Sequence, residues 1–474
     1  MSFKYPLLLT LYFLPLLSGC TLAPFYHRPS LPVANQYPDN HSIEAAAPEI
    51  GWRDFFVDPR LQRLIELALE HNRDLRIASL NVQAARAQYR IQRANLFPTI
   101  NATAQEIAQR VPNDLAVPGF PQTTHEYEAG IGFTAYELDL FGRIRSLNKQ
   151  ALETYFSVAE TRKSAQITLV SEVATQYLTW LADQDLLRLT QETYNSQKAS
   201  YDLIHQRFEA GVASALDLSQ AQTAVDVARG NFAQYMRQVA QDVNALVFLL
   251  GTSLPADLPE GSSFDEETVL ATLPAGLPSD LLERRPDIRA AEHMLKGANA
   301  NIGAARAAFF PSISLTGDFG SASMNLDHLF ERGSRTWMFN PKVSLPIFAG
   351  GAHAANLNLA NIEKKVEIAH YEKTIQSAFR EVSDALAGRA TLDEQVAAGE
   401  SLVAASSESY KLSDMRFRAG VDNYLTAIVS QRALYSAQQN LIAIKLLRIE
   451  NLVTLYKALG GGWKEKSDPL KASS

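Results

Sequence analysis

The sequence has little of what enzymes, metal proteins and nucleic-acid binders need. Its 474 residues include one cysteine, Cys20, so no intrachain disulfide can form. It has no lysine or arginine cluster, and its formal net charge of −7 argues against binding nucleic acid. HExxH, GxSxG and phosphate-loop motifs are missing, and the histidines are scattered. We therefore expect no catalytic residues, no metal site and no cofactor beyond a covalent lipid. After residue 20 no apolar run reaches about 18 residues, which argues against a transmembrane helix there.

The N-terminus resembles a bacterial lipoprotein signal. Residues 1–19 begin with basic groups and continue through an apolar stretch over residues 7–17. The sequence "LSGC" ends at Cys20 and resembles a lipobox, which is cleaved before the cysteine whose sulfur is then acylated. We predict a signal peptide over 1–19 and a lipidated, extended segment over 20–57. An ordinary secretory signal with a chance cysteine is the alternative.

The rest of the chain repeats itself. "RFEAGVASALDLSQAQ" begins at Arg207, and "RFRAGVDNYLTAIVSQ" begins at Arg416, 209 residues later. "ANLFPTINAT" precedes the first copy as "AAFFPSISLT" precedes the second. Such a repeat decides the architecture. We predict four parts, namely repeat one over 58–250, a proline-rich linker over 251–280, repeat two over 281–460 and a C-terminal tail over 461–474.

Each repeat is expected to fold as helix, strand, loop, strand, long helix, turn and helix, so the fold class is mostly α. Apolar residues spaced alternately three and four apart predict coiled-coil seams. In the long helices they are Ile167, Val170, Ala174, Tyr177, Leu181, Tyr371, Ile375, Ala378, Val382 and Ala385. No proline interrupts Arg143–Phe208 or His353–Phe417, so each would extend for roughly 100 Å.

Apolar and polar residues alternate in four segments, at about 97–107, 125–140, 310–321 and 335–348. This pattern is typical of membrane strands with lipid on one face and a polar lumen on the other. A soluble sheet with one hydrated face is the alternative. Pro341 and Pro346 conflict with a strand, because proline lacks the backbone donor.

Four strands per chain cannot close a barrel, and open edges cannot face lipid. Several chains must therefore share one barrel. Two chains would give about eight strands, which side chains fill, whereas three would give about twelve and leave a lumen.

Many stretches resemble TolC-type outer membrane efflux proteins, in the lipoprotein subgroup of drug-efflux (RND) systems. They include "LFPTI", "YELDLFG", "LLERRPDIRAAE", "FFPSISLTG", "LPIFAGG" and "YKALGGGW". The resemblance implies a homotrimer whose twelve-strand outer membrane barrel continues into a periplasmic α-helical barrel. It also implies a periplasmic adaptor and an inner membrane RND-type pump as partners, and a passive channel that exports drugs or other small toxic compounds. The chain would be lipid-anchored and barrel-embedded in the outer membrane, with a large periplasmic part.

The two repeated turns are predicted to be the periplasmic tips of two helical hairpins. Each tip has four characteristic residues, namely Arg207, Phe208, Gly211 and Val212 in the first and Arg416, Phe417, Gly420 and Val421 in the second. We expect each glycine to stop a helix in the left-handed conformation and each valine to start the next helix. Six such tips in a trimer would form the mouth of the channel. The alternative is that each turn only reverses the direction of the chain.

The resemblance places the narrowest point of the channel just after the second turn, with the aperture leucine at Leu425. The positions where such proteins often have acids are Thr426 and Val429, so this chain departs from that pattern. Leu425 and Val429 are four residues apart and share a helix face. Three chains would form two apolar rings that block ions by dewetting. Asp422 could give the channel mouth a preference for cations. The alternative to a gate is that Leu425 and Val429 pack in the helix seam.

The sequence leaves other functions open. A protein-secretion duct and a structural periplasmic lipoprotein are the alternatives to an efflux channel. The exported compounds, the particular adaptor and pump, the opening mechanism and the need for lipid in membrane insertion do not follow from the sequence.

Overall fold

A computed structural model describes residues 21–37, 50–115, 117, 119, 121–261, 264, 268–270 and 281–467. These residues divide between two compact units. The first unit contains the described residues up to Pro29, together with Val82–Val158 and Ala291–Tyr371. The second contains the described residues of Ser30–Asn81, Ala159–Ala290 and Glu372–Ser474.

The described chain is mostly helical, and its elements follow the predicted order. Before the first two strands lie α1 (Trp52–Phe55), α2 (Pro59–His71) and α3 (Arg73–Ala94), followed by β1 (Ile100–Arg110) and β2 (Thr123–Leu138). The first hairpin consists of α4 (Arg143–Glu209) and α5 (Ala215–Leu250). The second half contains α6 (Leu281–Arg284), α7 (Pro286–Ala307), β3 (Ser312–Ser323), a short 3-10 helix (Leu326–His328), β4 (Arg335–Ser344), α8 (Ala352–Arg418) and α9 (Tyr424–Ala458).

The two long helices, α4 and α8, have 67 residues each and agree with the predicted bounds to within a residue at either end. All ten apolar residues predicted for their seams are buried. Further along α4, Ile204 is buried whereas Phe208 is exposed at the helix end. No helix in the described ranges combines the length and the apolar character needed to cross a membrane.

The four strands form one antiparallel sheet in the order β1-β2-β3-β4. The strand β1 is shifted by three residues from prediction and β2 and β3 are each shifted by two, whereas β4 ends at Ser344 rather than 348. Pro346 lies just beyond this end, where its missing backbone donor does not disturb a ladder. Pro341 lies within β4, opposite Leu315, which an edge strand tolerates when the missing donor faces away from its neighbour.

Both described terminal segments are held by specific contacts. In the first unit, Arg28 forms a two-pronged ion pair with Glu292 of α7, and Asn299 donates to the carbonyl of Pro24. In the second unit, the backbone N–H groups of Trp52 and Arg53 donate to the carbonyls of Lys464 and Glu465. Residues 21–37 contain neither helix nor strand, whereas α1 (Trp52–Phe55) is a short helix within the segment 20–57 that was expected to be extended.

Candidate functional site

The first predicted tip is a tight turn between α4 and α5. Gly211 has a φ of 76°, in the left-handed region. Its N–H donates to the carbonyl of Phe208 at 2.9 Å, and the Val212 N–H donates to the carbonyl of Arg207 at 2.8 Å. This pair of bonds is a Schellman motif, which satisfies the last carbonyls of α4.

The second tip repeats this geometry between α8 and α9. Gly420 has a φ of 71°. Its N–H donates to the carbonyl of Phe417 at 3.0 Å, and the Val421 N–H donates to the carbonyl of Arg416 at 2.9 Å. Equivalent residues therefore make equivalent bonds in the two turns.

The expectation that the valines start the next helices is wrong. Their N–H groups cap the preceding helices, and the next helices begin three residues later at Ala215 and Tyr424. Ser214 caps α5 and forms a capping box with Asp217. Asn423 caps α9, because its Oδ1 accepts hydrogen bonds from the Thr426 N–H at 3.2 Å and the Thr426 hydroxyl at 2.9 Å.

The two tips pack against each other. Their shared core consists of Ile204, Ala221, Ala224, Phe417, Tyr424, Ala427 and Ile428. The guanidinium of Arg207 lies over the ring of Phe417, 5.1 Å from its centroid. Residues from both hairpins contribute to this core, so the two turns lie at the same end of the second unit.

The proposed constriction residues face away from this core. Leu425 is 48% exposed and Val429 is 54% exposed, whereas the residue before each of them, Tyr424 and Ile428, is buried. Leu425 and Val429 therefore do not pack in a seam within their own chain. This geometry leaves their side chains available to another copy or to a lumen, and the gate remains a prediction.

Asp422 is paired within its own turn. Arg416 donates to both carboxylate oxygens, at 2.6 and 3.1 Å. The hydrogen bond with Arg416 holds the pKa of Asp422 below its usual value. The ion pair offsets the negative charge on which the expected cation preference depends.

One structural centre was not found from the sequence. Arg285 is buried and donates to Asp287, to Glu381 of α8 at 2.7 Å and to the carbonyl of Ala458 at the end of α9 at 2.9 Å. It belongs to the "LLERRPDIRAAE" stretch, which the sequence marks only by resemblance. Two of its partners, Glu381 and Ala458, lie 96 and 173 residues away, so no local pattern could identify them.

A second missed feature is a line of polar residues in α4, which we call the polar line. Gln176, Asp183, Thr190 and Gln197 follow one another at intervals of seven residues. Thr190 forms a hydrogen bond with Tyr435 at 2.9 Å, and Gln197 donates to Gln431 at 2.8 Å. The seven-residue spacing was a signal that could have been read, because seam positions recur at that interval.

The structure does not describe the predicted lipidation site. Cys20 lies outside the described residues. Within the described ranges, no group of three or more histidine, cysteine or acidic residues is placed to hold a metal ion.

Known proteins match this chain over nearly its whole length. The family model described as "Outer membrane efflux protein" matches residues 64–252 and 277–461. The antibiotic efflux pump outer membrane protein ArpC and the toluene efflux pump outer membrane protein TtgC, both of Pseudomonas putida, are each 54% identical over 458 residues, which cover 95% of this chain and 94% of the relative. The crystal structure of the open MtrE outer membrane channel of Neisseria gonorrhoeae is 40% identical, with a TM-score of 0.87 over 95% of this chain and 100% of that chain.

Proposed function

This chain belongs to the outer membrane efflux protein family, whose members are transport channels of the outer membrane, and we propose that three copies of it share one twelve-strand barrel there. The observation that carries this proposal is the register of the sheet. Its four strands have one apolar face, one polar face and two edges.

The two faces of the sheet differ in its middle rows. One row on the apolar face consists of Ala102, Ile131, Phe319 and Trp337. The next row, on the opposite face, consists of Thr103, Gly130, Gly320 and Thr336. Phe319 and Trp337 are exposed in the single chain. This arrangement suits contact with lipid on one side and a water-filled lumen on the other.

The edges determine how many copies are needed. Within the described residues, β1 and β4 each pair on one side only. An unpaired edge leaves backbone groups without partners, which lipid cannot satisfy. Joining β4 of one copy to β1 of the next removes both edges. Three copies of four strands give twelve strands, enough to leave a lumen.

The hairpins would form the periplasmic part of the conduit, with a trimer presenting six similar tips. We place the constriction at Leu425 and Val429, which three copies would stack as two apolar rings. Dewetting of such rings blocks ions without binding them. The exposure of both side chains in the single chain supports this placement.

The partners and cargo follow from the relatives. Two relatives are named for antibiotic and toluene efflux pumps. We infer that this channel receives drugs or other small toxic compounds through a periplasmic adaptor from an inner membrane RND-type pump. We further infer that acyl groups on Cys20 anchor it in the outer membrane.

The assembly is tested by a non-denaturing mass measurement on the purified protein in mild detergent. The expected species has three times the mass of the mature chain. A monodisperse monomer or dimer would contradict the shared barrel. The same preparation, reconstituted in planar bilayers, is expected to show discrete channel openings, whereas a trimer that never conducts would overturn the conduit and leave the assembly standing.

A further inference from the structure

The polar line of α4 includes a pair of acids that face each other inside the first hairpin. Asp183 of α4 is 5% exposed, and Asp242 of α5 is 8% exposed. Their carboxyl groups lie within hydrogen-bonding reach of each other. Buried acids are normally paired with cations, so two that contact each other need a different explanation.

The hydrogen bonds around the pair leave room for one more proton. Gln176 donates to Oδ1 of Asp242 at 3.1 Å, and Gln238 donates to Asp183. In the described residues, Oδ2 of Asp183 and Oδ2 of Asp242 have no hydrogen-bond donor. A proton on either oxygen would supply the missing donor. Without that proton, two buried carboxylates would repel each other at short range.

Among the described residues, the groups that shift the pKa of Asp183 include no cation. Burial first, and the neighbouring Asp242 carboxyl second, raise the pKa of Asp183 to about 6. The other ionisable neighbours identified are tyrosines. Tyr235 of α5 is affected by the charge of Asp183, and Gln439 of α9 donates to both Tyr235 and Tyr435. The raised pKa of Tyr235, due mainly to burial, keeps that hydroxyl neutral near pH 7.

We propose that Asp183 and Asp242 form a proton-dependent clasp between α4 and α5, closed when the two carboxyl groups share one proton and loosened when that proton is lost. The placement of two buried acids on neighbouring helices, each with one carboxylate oxygen that lacks a donor, carries this assignment.

The sign of the pH dependence follows from the direction of the pKa change. Asp183 rises from an ordinary value of 3.8 to about 6, so the closed hairpin binds more protons than the open one between these values. The clasp is therefore strongest at the acidic end of this window and weakens as the pH rises through it. Above about pH 6 the added stability is lost.

Hydrogen exchange of the assembled, full-length protein in detergent tests the clasp. After correction for intrinsic exchange rates, we expect protection in α4 and α5 beside the pair to fall as the pH rises from 4 to 6, by up to about tenfold per pH unit, and then to level off. Asp183→Asn should keep the contact through its amide and abolish the pH dependence. Asp242→Asn should do the same and serves as a second variant if the first does not assemble.

Asp226→Asn is the matched control, because Asp226 is an exposed acid of α5 paired with Arg229. This variant should keep the wild-type pH profile. Infrared spectroscopy adds a readout that packing alone would not change, namely a protonated carboxyl band that persists after exposed carboxyl groups have ionised and disappears in Asp183→Asn. A flat wild-type profile, an unchanged profile in both Asn variants or the absence of that band would overturn the clasp.

Discussion

At the scale of single residues, Arg285 makes contacts that no other residue can replace. Its guanidinium binds Asp287 through two nitrogens and also reaches Glu381 and the last carbonyl of α9. The side chain is almost completely buried. Removing Arg285 leaves two partly exposed acids and a carbonyl without this partner. Arg285 thereby links the start of α7 to the middle of α8 and the end of α9 in the second unit.

We expect Arg285→Ala to destabilise the protein by about 1.5–3 kcal/mol, because the hydrogen bonds of its buried guanidinium to the acids and the carbonyl are lost. Arg285→Lys should recover only part of this loss, since lysine cannot form the two-pronged contact. Thermal unfolding followed by circular dichroism measures the change. Arg188→Ala removes an exposed arginine that pairs with Asp185, and should cost at most about 1 kcal/mol. Equal effects of the two alanine variants would show that the network contributes little.

The proposed constriction can also be tested at individual residues. Leu425→Ser combined with Val429→Ser should raise the resting conductance in planar bilayers, because hydroxyls allow water to wet the narrow point. The trimer should stay intact, since neither side chain belongs to the core of its own chain. Val429→Asp should increase block by multivalent cations relative to wild type.

Leu216→Ser is the matched control for this experiment. Leu216 occupies the same position after the first turn as Leu425 after the second and is also exposed. It should leave the conductance unchanged, because the constriction is assigned to α9 alone. Wild-type conductance in the double serine variant would assign Leu425 and Val429 to packing between copies, with the gate elsewhere on the tips.

At the scale of helices and turns, the features that depend on the spacing of nearby residues could be predicted from the sequence. The seams of α4 and α8 were readable because apolar side chains three and four residues apart must face one partner. The left-handed glycines were readable because few other residues tolerate that conformation. The role of Val212 was misread, since its N–H bond to Arg207 depends on how the turn closes.

Replacing glycine by alanine should change the stability of the protein in opposite directions at the turns and within a helix. Gly211→Ala and Gly420→Ala should each destabilise their hairpin by about 1–2 kcal/mol, because a side chain is strained at their φ of 76° and 71°. Gly230→Ala should stabilise α5 by about 0.4–1 kcal/mol, because Gly230 lies within the helix and an added Cβ would meet no atom within 4 Å. Thermal unfolding midpoints decide this, and a loss of stability in all three variants would contradict it.

At the scale of the whole molecule, contacts between residues that lie far apart in the sequence could not be predicted. The strand alternation predicted a two-faced sheet, and the observed register places Phe319 beside Trp337 on one face. The polar line was missed because its partners in α9 lie more than 200 residues away. Apolar spacing identifies a seam, but the partner of a buried polar residue depends on which helices meet.

The last prediction concerns the lipid. Arg306 in the last turn of α7 donates to the carbonyl of Leu22, two residues after Cys20, and β3 follows α7 after four residues. The residues just after Cys20 are therefore held beside the segment that leads into the sheet. Cys20→Ala should abolish acyl-chain labelling but only weaken export, because the sheet has its own apolar face for the membrane. Thr21→Ala should retain the label. Complete loss of outer membrane insertion in Cys20→Ala would mean that insertion needs the lipid or that the sheet does not enter the membrane by itself.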